Sequence, residues 1–594
     1  MQATPNENRP PVDPRLSWSE GTPAATGPVR RRIVIVGGVA GGMSCAARAR
    51  RLDEHAQIVL LERGDHVSVA TCGLPYYLGG EITDEARLQV QTPRSLAASL
   101  DLDVRVRHEV TGLDVEHRTV TVRSDTGVEA LAYDALVLSP GSLPARPPIP
   151  GMDSPRVRTL RTIHDARRLM DDIGSGARHA VVLGGGFIGL EVAEALRGRG
   201  LEVTVVEAAR HVLPALEPEL ASRVSAELRA MGIQVHDGTA ATAIHHASGR
   251  DDVVLVDGSV LAADLVLVSV GVRPDTALFE AAGIACERGA IVVDEHGRTS
   301  VPGVWAVGDA VASVDAVTGV RAPVPLAGPA SRAGRLVADD ILRPSQARPV
   351  PPPVATAVVR VGSLTVATTG AGHARLVDQG IEHRTIHIHP NDHAGYFPGA
   401  QAIHLVVHFR TGDGLLLGAQ AVGRSGVDKR IDVLATAIRA RMSVADLIDL
   451  DLTYAPPYGQ AKDAVNLAGM LGEDVLQGSV VLWYPEDLES VMASSLLLDV
   501  RGPAEFATGH LPTARNIPHT ALRQRLDEVR SLAAGRPVRL LCASGFRSHL
   551  AHRVLTQEGF DSATLSGGMI TLLDARGPEV EPMLVTGSPA PLAA

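Results

Sequence analysis

Short, unbroken apolar runs closed by glycine or an acidic residue, with alanine-rich helical stretches between them, set the pattern of the first half of this chain. Arg32–Val36 is such a run. It leads into Gly37-Gly-Val-Ala-Gly-Gly42 and an alanine-rich helix through Leu52; Ile58–Leu61 forms the next strand and ends at Glu62. Strand, glycine turn, helix, strand and acid in that order make a dinucleotide-binding unit. The glycines let the backbone approach a pyrophosphate, the helix N-terminus stabilises its charge, and the acid bonds ribose hydroxyls.

The unit recurs. His179–Leu183 predicts a strand, Gly184-Gly-Gly-Phe-Ile-Gly189 the turn, Leu190 to Arg199 a helix, and Val203–Val206 a strand that ends at Glu207. One glycine pattern also arises from simple tight turns, whereas two, each with its acid, make a strong signal. In Thr299–Asp309 the short strand Val304–Val307 delivers Gly308 and Asp309 at its C-terminal end, where ligands of open α/β sheets bind. This order predicts FAD at the first unit and a nicotinamide dinucleotide at the second, the second being inserted into the first. The expected FAD domain is 31–150 with 275–345, using Gly37, Gly38, Val39, Ala40, Gly41, Gly42, Glu62, Arg63, Thr71 and Asp309. The expected NAD(P) domain is 151–274, using Gly184, Gly186, Gly189, Glu207 and Gly271. Glu207 favours NADH because a carboxylate repels a 2′-phosphate, while nearby Arg210 leaves NADPH open.

Farther on, proline-rich Arg343–Pro353 predicts a linker. The β-branched strands in Val354–Thr368 and an amphipathic helix over Gly426–Met442 predict an α+β domain at 350–470. The pattern shifts near Gly478 to short strands and helices over 478–580. Residues 1–30, rich in Pro, Glu and Asn, predict a disordered tail rather than a secretory signal. The longest apolar runs, such as Leu265–Val270, are too short to cross a bilayer, so no membrane attachment is expected.

Composition narrows the chemistry. A net charge of −11 argues against nucleic acid as a partner. The four cysteines, at 45, 72, 286 and 542, give neither a disulfide framework nor a paired-cysteine metal motif, which fits a reducing cytoplasm. Cys72, in Ser68-Val-Ala-Thr-Cys-Gly-Leu-Pro-Tyr-Tyr77, has no cysteine near it in sequence, the next being Cys286. A dithiol reductase needs a second sulfur for an internal disulfide. Redox chemistry at Cys72 therefore uses one protein sulfur plus a flavin or a substrate sulfur. Cys45 and Cys286 read as structural. His387, His389 and His393 read as surface or interface groups rather than a metal site.

GGVAGGMSCAARARRLDE, SVATCGLPYYLGG, the Gly184 fingerprint, WAVGDA, HAGYFPGA and YAPPYGQAKDAVN together resemble the pyridine nucleotide–disulfide oxidoreductase superfamily, and within it the coenzyme A-disulfide reductase group. That resemblance implies an FAD domain, an inserted NAD(P) domain and a C-terminal dimerisation domain in a homodimer. It places the substrate-reactive cysteine at Cys72 and puts Tyr77 where dithiol relatives carry their second cysteine. It implies that tyrosines of the dimerisation domain reach the partner's active site and aid departure of the released thiolate: Tyr396, and Tyr454 with Tyr458 as a substitute. Coenzyme A, as substrate or bound carrier, would meet Arg51 and Ser68, with Thr71 beside them; Arg48 and Arg50 lie on the same helix as Arg51. Val69 and Thr71 depart from the group's usual residues, which would shift preference from coenzyme A disulfide toward persulfide or polysulfide. Single-cysteine relatives that act as NADH oxidases or peroxidases, cycling through a cysteine sulfenic acid, form the alternative.

A second cysteine site follows. Leu496–Arg501, Glu505-Phe506, Gly509–Pro518 and Leu541-Cys-Ala-Ser-Gly-Phe-Arg-Ser548 resemble a rhodanese domain. The strand Val538–Leu541, a tight loop over Cys542–Ser548 and a helix from Ser548 would aim backbone N–H groups at the Cys542 sulfur, with positive charge from Arg547. Such a nest suits a persulfide. The fold class expected is α/β throughout: two Rossmann-like domains, an α+β dimerisation domain and an α/β rhodanese domain.

Overall fold

The computed structural model of the protein describes residues 31–247 and 249–587, so the tail expected at 1–30 lies outside the described residues. The first apolar runs pair as a five-stranded parallel sheet in the order Val304–Ala306, Ala135–Leu138, Arg32–Val36, Gln57–Glu62 and Asp103–Val106. The runs are apolar without alternation because both faces are covered. Helices Ala40–Leu52 and Ala327–Leu342 close one face, and a three-stranded antiparallel sheet over residues 109–132 lies on the other.

The second unit repeats this plan with the parallel order Gln234–His236, Glu202–Val206, His179–Leu183, Leu265–Val268 and Val157–Arg158. A short antiparallel ribbon, Ser142–Pro144 with Val272–Pro274, joins the two units. The helix after the second glycine turn runs Phe187–Gly198, starting earlier than expected, because Gly186 itself is the N-cap.

Beyond the linker a five-stranded antiparallel sheet carries the helices Val427–Arg439 and Ala464–Leu476. The first of these stops short of Met442 because Arg441 takes a left-handed conformation at φ +59°. Strand residues Val359, Val366, Val406 and Val422 share one core with Leu196, Val205 and Leu228 of the second dinucleotide unit, so these two domains pack as one body. The last domain is a five-stranded parallel sheet in the order Leu482–Trp483, Ser562–Leu565, Val538–Leu541, Leu496–Asp499 and Arg515–Asn516. No helix among the described residues is long and apolar enough to cross a membrane.

Of the surface and interface readings of His387, His389 and His393, the interface one holds for His387 and His389, while His393 is buried within its own domain. His387, 7% exposed, sits where three domains meet: its Nε2 lies 2.8 Å from Glu219 of the second unit and its Nδ1 2.7 Å from Ser566 Oγ of the last domain. His389 reaches Thr571 at 2.9 Å, and His393 is buried against Asp392. His387 and His389 find their hydrogen-bond partners in Glu219, Ser566, Thr571 and His404, which is why a histidine-rich strand is tolerated at the joint.

Candidate active site

Both dinucleotide units use their acid in the same way. Glu62 accepts from the N–H of Gly38 at 2.9 Å and of Gly64 at 2.8 Å, and Glu207 accepts from Gly185 and Ala209, each at 2.7 Å. Each carboxylate thus braces its own glycine turn. Gly37 and Gly184, at φ +99° and +105°, admit no side chain: a Cβ would lie 2.0 Å from the Ser139 carbonyl oxygen and 2.3 Å from that of Ser269. The helices that follow begin at Val39 and Gly186 with no side-chain cap, so their first N–H groups stay available to an anion. Gly186 and Gly271 face open space. These features fit two dinucleotides.

One cleft of about 2900 Å³ joins them. Gly37, Gly38, Val39, Ala40, Gly41, Glu62, Arg63, Thr71 and Asp309 line it from the first unit, and Gly184, Gly186, Glu207 and Gly271 from the second. Gly42 and Gly189 do not. A Cβ on either would sit 2.0 Å from the carbonyl oxygen of Gly37 or Gly184, so these glycines let each helix pack on its own turn. Arg63 is held by Asp275 at 2.5 Å, and Asp309 accepts from the Ser142 hydroxyl at 3.0 Å.

Cys72 opens into the same cleft from the short helix Thr71–Gly73 and is exposed, with Ser68 and Thr71 beside it. Ser68 holds a left-handed backbone at φ +53°, fixed by its N–H to the Gly38 carbonyl at 2.7 Å and by its own carbonyl to Val90 N–H at 3.0 Å. None of the four cysteines is in a disulfide. Cys45 is fully buried, and burial pushes its thiol up to about 12, an inert group. Burial and then Glu280 raise Cys286. The same cleft is lined by Glu191, which no sequence motif marks and whose carboxyl accepts from the Tyr76 hydroxyl at 3.3 Å; burial first, offset by that hydrogen bond, leaves its pKa raised. Its position on a helix face that otherwise reads as surface hid it.

Of the three arginines after the first turn, Arg48 is paired with Asp339 at 2.6 Å, and Arg50, 4% exposed, donates to the carbonyls of Leu100, Glu54 and Asp101. Arg51 alone stands exposed, in a groove of about 510 Å³ with Arg335, Gln91 and Ser99. The groove shares Met43, Ser44 and Ser331 with the main cleft. Two guanidinium groups lining such a groove fit phosphates.

Tyr396 and Tyr454 share a hydrogen bond, hydroxyl to hydroxyl, at 3.0 Å, and that contact raises the Tyr396 pKa. Tyr458 is exposed and stands apart from that hydrogen bond. None of the three lines the cleft of its own chain. Arg430, which no sequence motif marks, clasps their two loops: it is 1% exposed, pairs with Asp463 at 2.7 Å and donates to the Asp392 carbonyl at 2.7 Å.

In the last domain Cys542 is fully buried and accepts from the N–H and hydroxyl of Ser548, each at 3.3 Å. The helix begins at Phe546, two positions before the expected Ser548, because Gly545 at φ +90° turns the chain. Arg547 makes no hydrogen bond to the sulfur, since its guanidinium is engaged by Glu505 at 2.6 and 2.7 Å, a pairing that holds the Glu505 carboxyl down to about 2; Arg547 stays near enough for the Cys542 charge to act on it.

The chain matches the family model of pyridine nucleotide-disulphide oxidoreductases over residues 31–333, that family's dimerisation domain over 356–465 and the rhodanese-like domain over 484–571. It is 32% identical to coenzyme A disulfide reductase of Staphylococcus haemolyticus over 75% of this chain and 100% of that protein. Its fold is similar to that of reduced Bacillus anthracis CoADR-RHD, with a TM-score of 0.90 and 39% identity over 94% of this chain and 99% of the other. It is likewise similar to a NAD-dependent persulfide reductase from A. fulgidus, with a TM-score of 0.85 and 35% identity over 91% and 99%. With both dinucleotide units, the dimerisation sheet and the second cysteine domain accounted for, this chain belongs to the pyridine nucleotide–disulphide oxidoreductase family and carries a rhodanese domain at its C-terminal end.

Proposed function

We propose that the chain is an FAD-dependent reductase of sulfur–sulfur bonds carried on coenzyme A, taking coenzyme A disulfide, coenzyme A persulfide or polysulfide, and that it prefers NADH. The observation that carries this is the single exposed thiol, Cys72, opening into the cleft that both glycine turns line. Gly37 to Gly41, Glu62, Arg63, Thr71 and Asp309 would hold FAD, and Gly184, Gly186, Glu207 and Gly271 would hold NADH, with Gly42 and Gly189 packing each helix on its turn. Bound there, FAD supplies two-electron exchange between a nicotinamide and sulfur. Arg51 with Arg335 would hold the coenzyme A phosphates beside the cleft.

The Cys72 thiolate attacks one sulfur of the substrate. A bond forms between Cys72 and that sulfur, and the second sulfur leaves as a thiolate. Tyr396 and Tyr454, brought by the partner subunit of a homodimer, donate to the departing thiolate. Two electrons from NADH then restore the Cys72 thiolate and free the remaining thiol, so each S–S bond consumes one NADH and one proton. The Cys542 thiolate attacks the outer sulfur of a donor such as thiosulfate and expels sulfite, and the coenzyme A thiolate then attacks that outer sulfur, forming coenzyme A persulfide and returning Cys542 as a thiolate.

Anaerobic NADH consumption with coenzyme A persulfide tests this. Cys72→Ser should lower turnover by more than about 10³-fold, while Cys542→Ser should keep turnover on preformed coenzyme A persulfide and lose transfer from thiosulfate. A Cys72→Ser variant that retains turnover overturns the single-thiol reading. Faster NADH oxidation by oxygen or peroxide than by any S–S substrate would instead favour the sulfenic acid cycle.

A further inference from the structure

The helix Phe546–Gln557 starts without an ordinary cap. Its N-cap residue, Gly545, has no side chain to accept from the first-turn N–H groups. The N–H of Ser548, in that turn, donates to the Cys542 sulfur at 3.3 Å, so the sulfur takes the place of the missing cap. The Ser548 hydroxyl lies 3.3 Å from the same sulfur and 3.0 Å from the Gly545 carbonyl. Behind it, Thr564 on the strand Ser562–Leu565 donates its hydroxyl proton to Ser548 Oγ at 2.7 Å. Cys542 and Ser548 are 0% exposed and Thr564 2%, so water does not compete for any of these bonds.

With the Thr564 proton filling one lone pair of Ser548 Oγ, the serine has one proton and two places to put it. A neutral divalent sulfur is a weak acceptor and leaves that proton to the Gly545 carbonyl, whereas a thiolate is a strong acceptor and draws it to Sγ. This contact strengthens as charge builds on the sulfur, and only interactions of that kind speed a chemical step. Arg547, its guanidinium held by Glu505, makes no such hydrogen bond to the sulfur.

We propose that Ser548 is a catalytic residue of sulfur transfer at Cys542, stabilising the thiolate that departs as sulfur is handed on, and that Thr564 is the positioning residue that aims its hydroxyl. The proposal rests on reading Cys542 as a persulfide carrier. In the step, an acceptor thiolate R–S⁻ attacks the outer sulfur of Cys542–S–SH. The R–S–SH bond forms, the bond to Sγ breaks, and its electron pair stays on Sγ as Cys542–S⁻. Neither oxidant nor reductant is consumed, and the negative charge moves from the acceptor to the sulfur that Ser548 faces.

The full-length holoenzyme, loaded with thiosulfate and discharged by glutathione in a single turnover, reports the step. Ser548→Ala should slow discharge about 10- to 100-fold at saturating glutathione, Ser548→Thr should recover most of the rate, and Thr564→Val should lose several-fold. Peptide-resolved alkylation of Cys542 by iodoacetamide should have its pH profile moved upward in the Ala and Val variants and not in Thr. Melting temperature and flavin content monitor folding; if the Ala variant does not fold, Thr564→Val decides. A folded Ala variant with wild-type discharge and an unmoved profile overturns the proposal, as does a Thr564→Val variant unchanged in both. Wild-type discharge by Cys542→Ser would instead overturn the persulfide-carrier reading beneath it.

Discussion

Glu207 is 8% exposed and its carboxylate is spent on two backbone N–H groups, so its charge is fixed at the open end of the second glycine turn. A 2′-phosphate brought there meets that charge with little water between them, where unlike and like charges alike are poorly screened. Glu207→Gln keeps an acceptor for the turn and removes the charge. It should improve kcat/KM for NADPH relative to NADH at least about tenfold, or about 1.4 kcal/mol. An unchanged ratio would assign the choice of coenzyme to another group, with Arg210 the nearest in sequence. Glu62, Glu207 and Cys72 were readable from the sequence because a strand end, a glycine turn and a helix start fix where their side chains must point. Arg51 was set apart from Arg48 and Arg50 by the family resemblance alone, since in physical terms only tertiary partners (Asp339 for one, the Leu100 carbonyl for another) decide which of three neighbours is left for a ligand.

At the scale of elements, the two tyrosine loops touch through the Tyr396–Tyr454 hydrogen bond and are also held by a buried clasp. Arg430, from the helix Val427–Arg439, holds Asp463 at the start of the helix Ala464–Leu476 and the carbonyl of Asp392 before the Tyr396 loop. Gln460 adds a bond to the Asn391 carbonyl at 2.6 Å. Arg430 and Asp463 side chains are 2% and 3% exposed, so removing one leaves a buried, uncompensated charge. Arg430→Met should therefore cost about 3–5 kcal/mol in urea unfolding and lower reductase turnover along with it, because the loops lose their common anchor. A loss below about 1 kcal/mol would show that the loops hold without it. The tyrosines were legible as motifs. The clasp was not, because Arg430 lies on the buried side of its helix beside Val427, Ile431 and Leu434, and only the folded chain brings Asp463 and the Asp392 carbonyl to it.

Across the whole molecule, the helix Pro218–Ala230 joins three domains, and two carboxyls at its joints respond to pH with opposite signs. Glu217, at its N-cap, is pushed up by burial but pulled down further by the His408 Nε2–H at 3.1 Å and the His373 N–H at 2.8 Å, to about 2. A carboxyl depressed in the folded chain contributes stability above its ordinary value of 4.5, and the contribution fades as pH falls toward 2. Asp574 of the rhodanese domain pairs with Arg223 of the same helix at 2.5 Å, yet burial outweighs that partner and raises it from 3.8 to about 6. A raised carboxyl takes up a proton on folding, so its contribution is full below 3.8 and is lost as pH rises through about 6. Each is worth about 3 kcal/mol at most. The sequence could not announce either group, because both signs arise from domains docked on one another: a histidine-rich strand that pattern alone places at a surface or an interface turns out to be the joint. Thermal unfolding between pH 4 and pH 7 separates the two. Glu217→Gln should be less stable than the wild type at pH 7, with the gap narrowing toward pH 4. Asp574→Asn should match or exceed the wild type at pH 7 despite losing an ion pair, because Arg223, with a side chain 28% exposed, can turn to water, and it should fall behind as the pH is lowered. If Asp574→Asn instead lost several kcal/mol at pH 7 and recovered toward pH 4, the ion pair would dominate burial, and the rhodanese domain would be docked by charge rather than by the buried hydrogen bonds of His387 and His389.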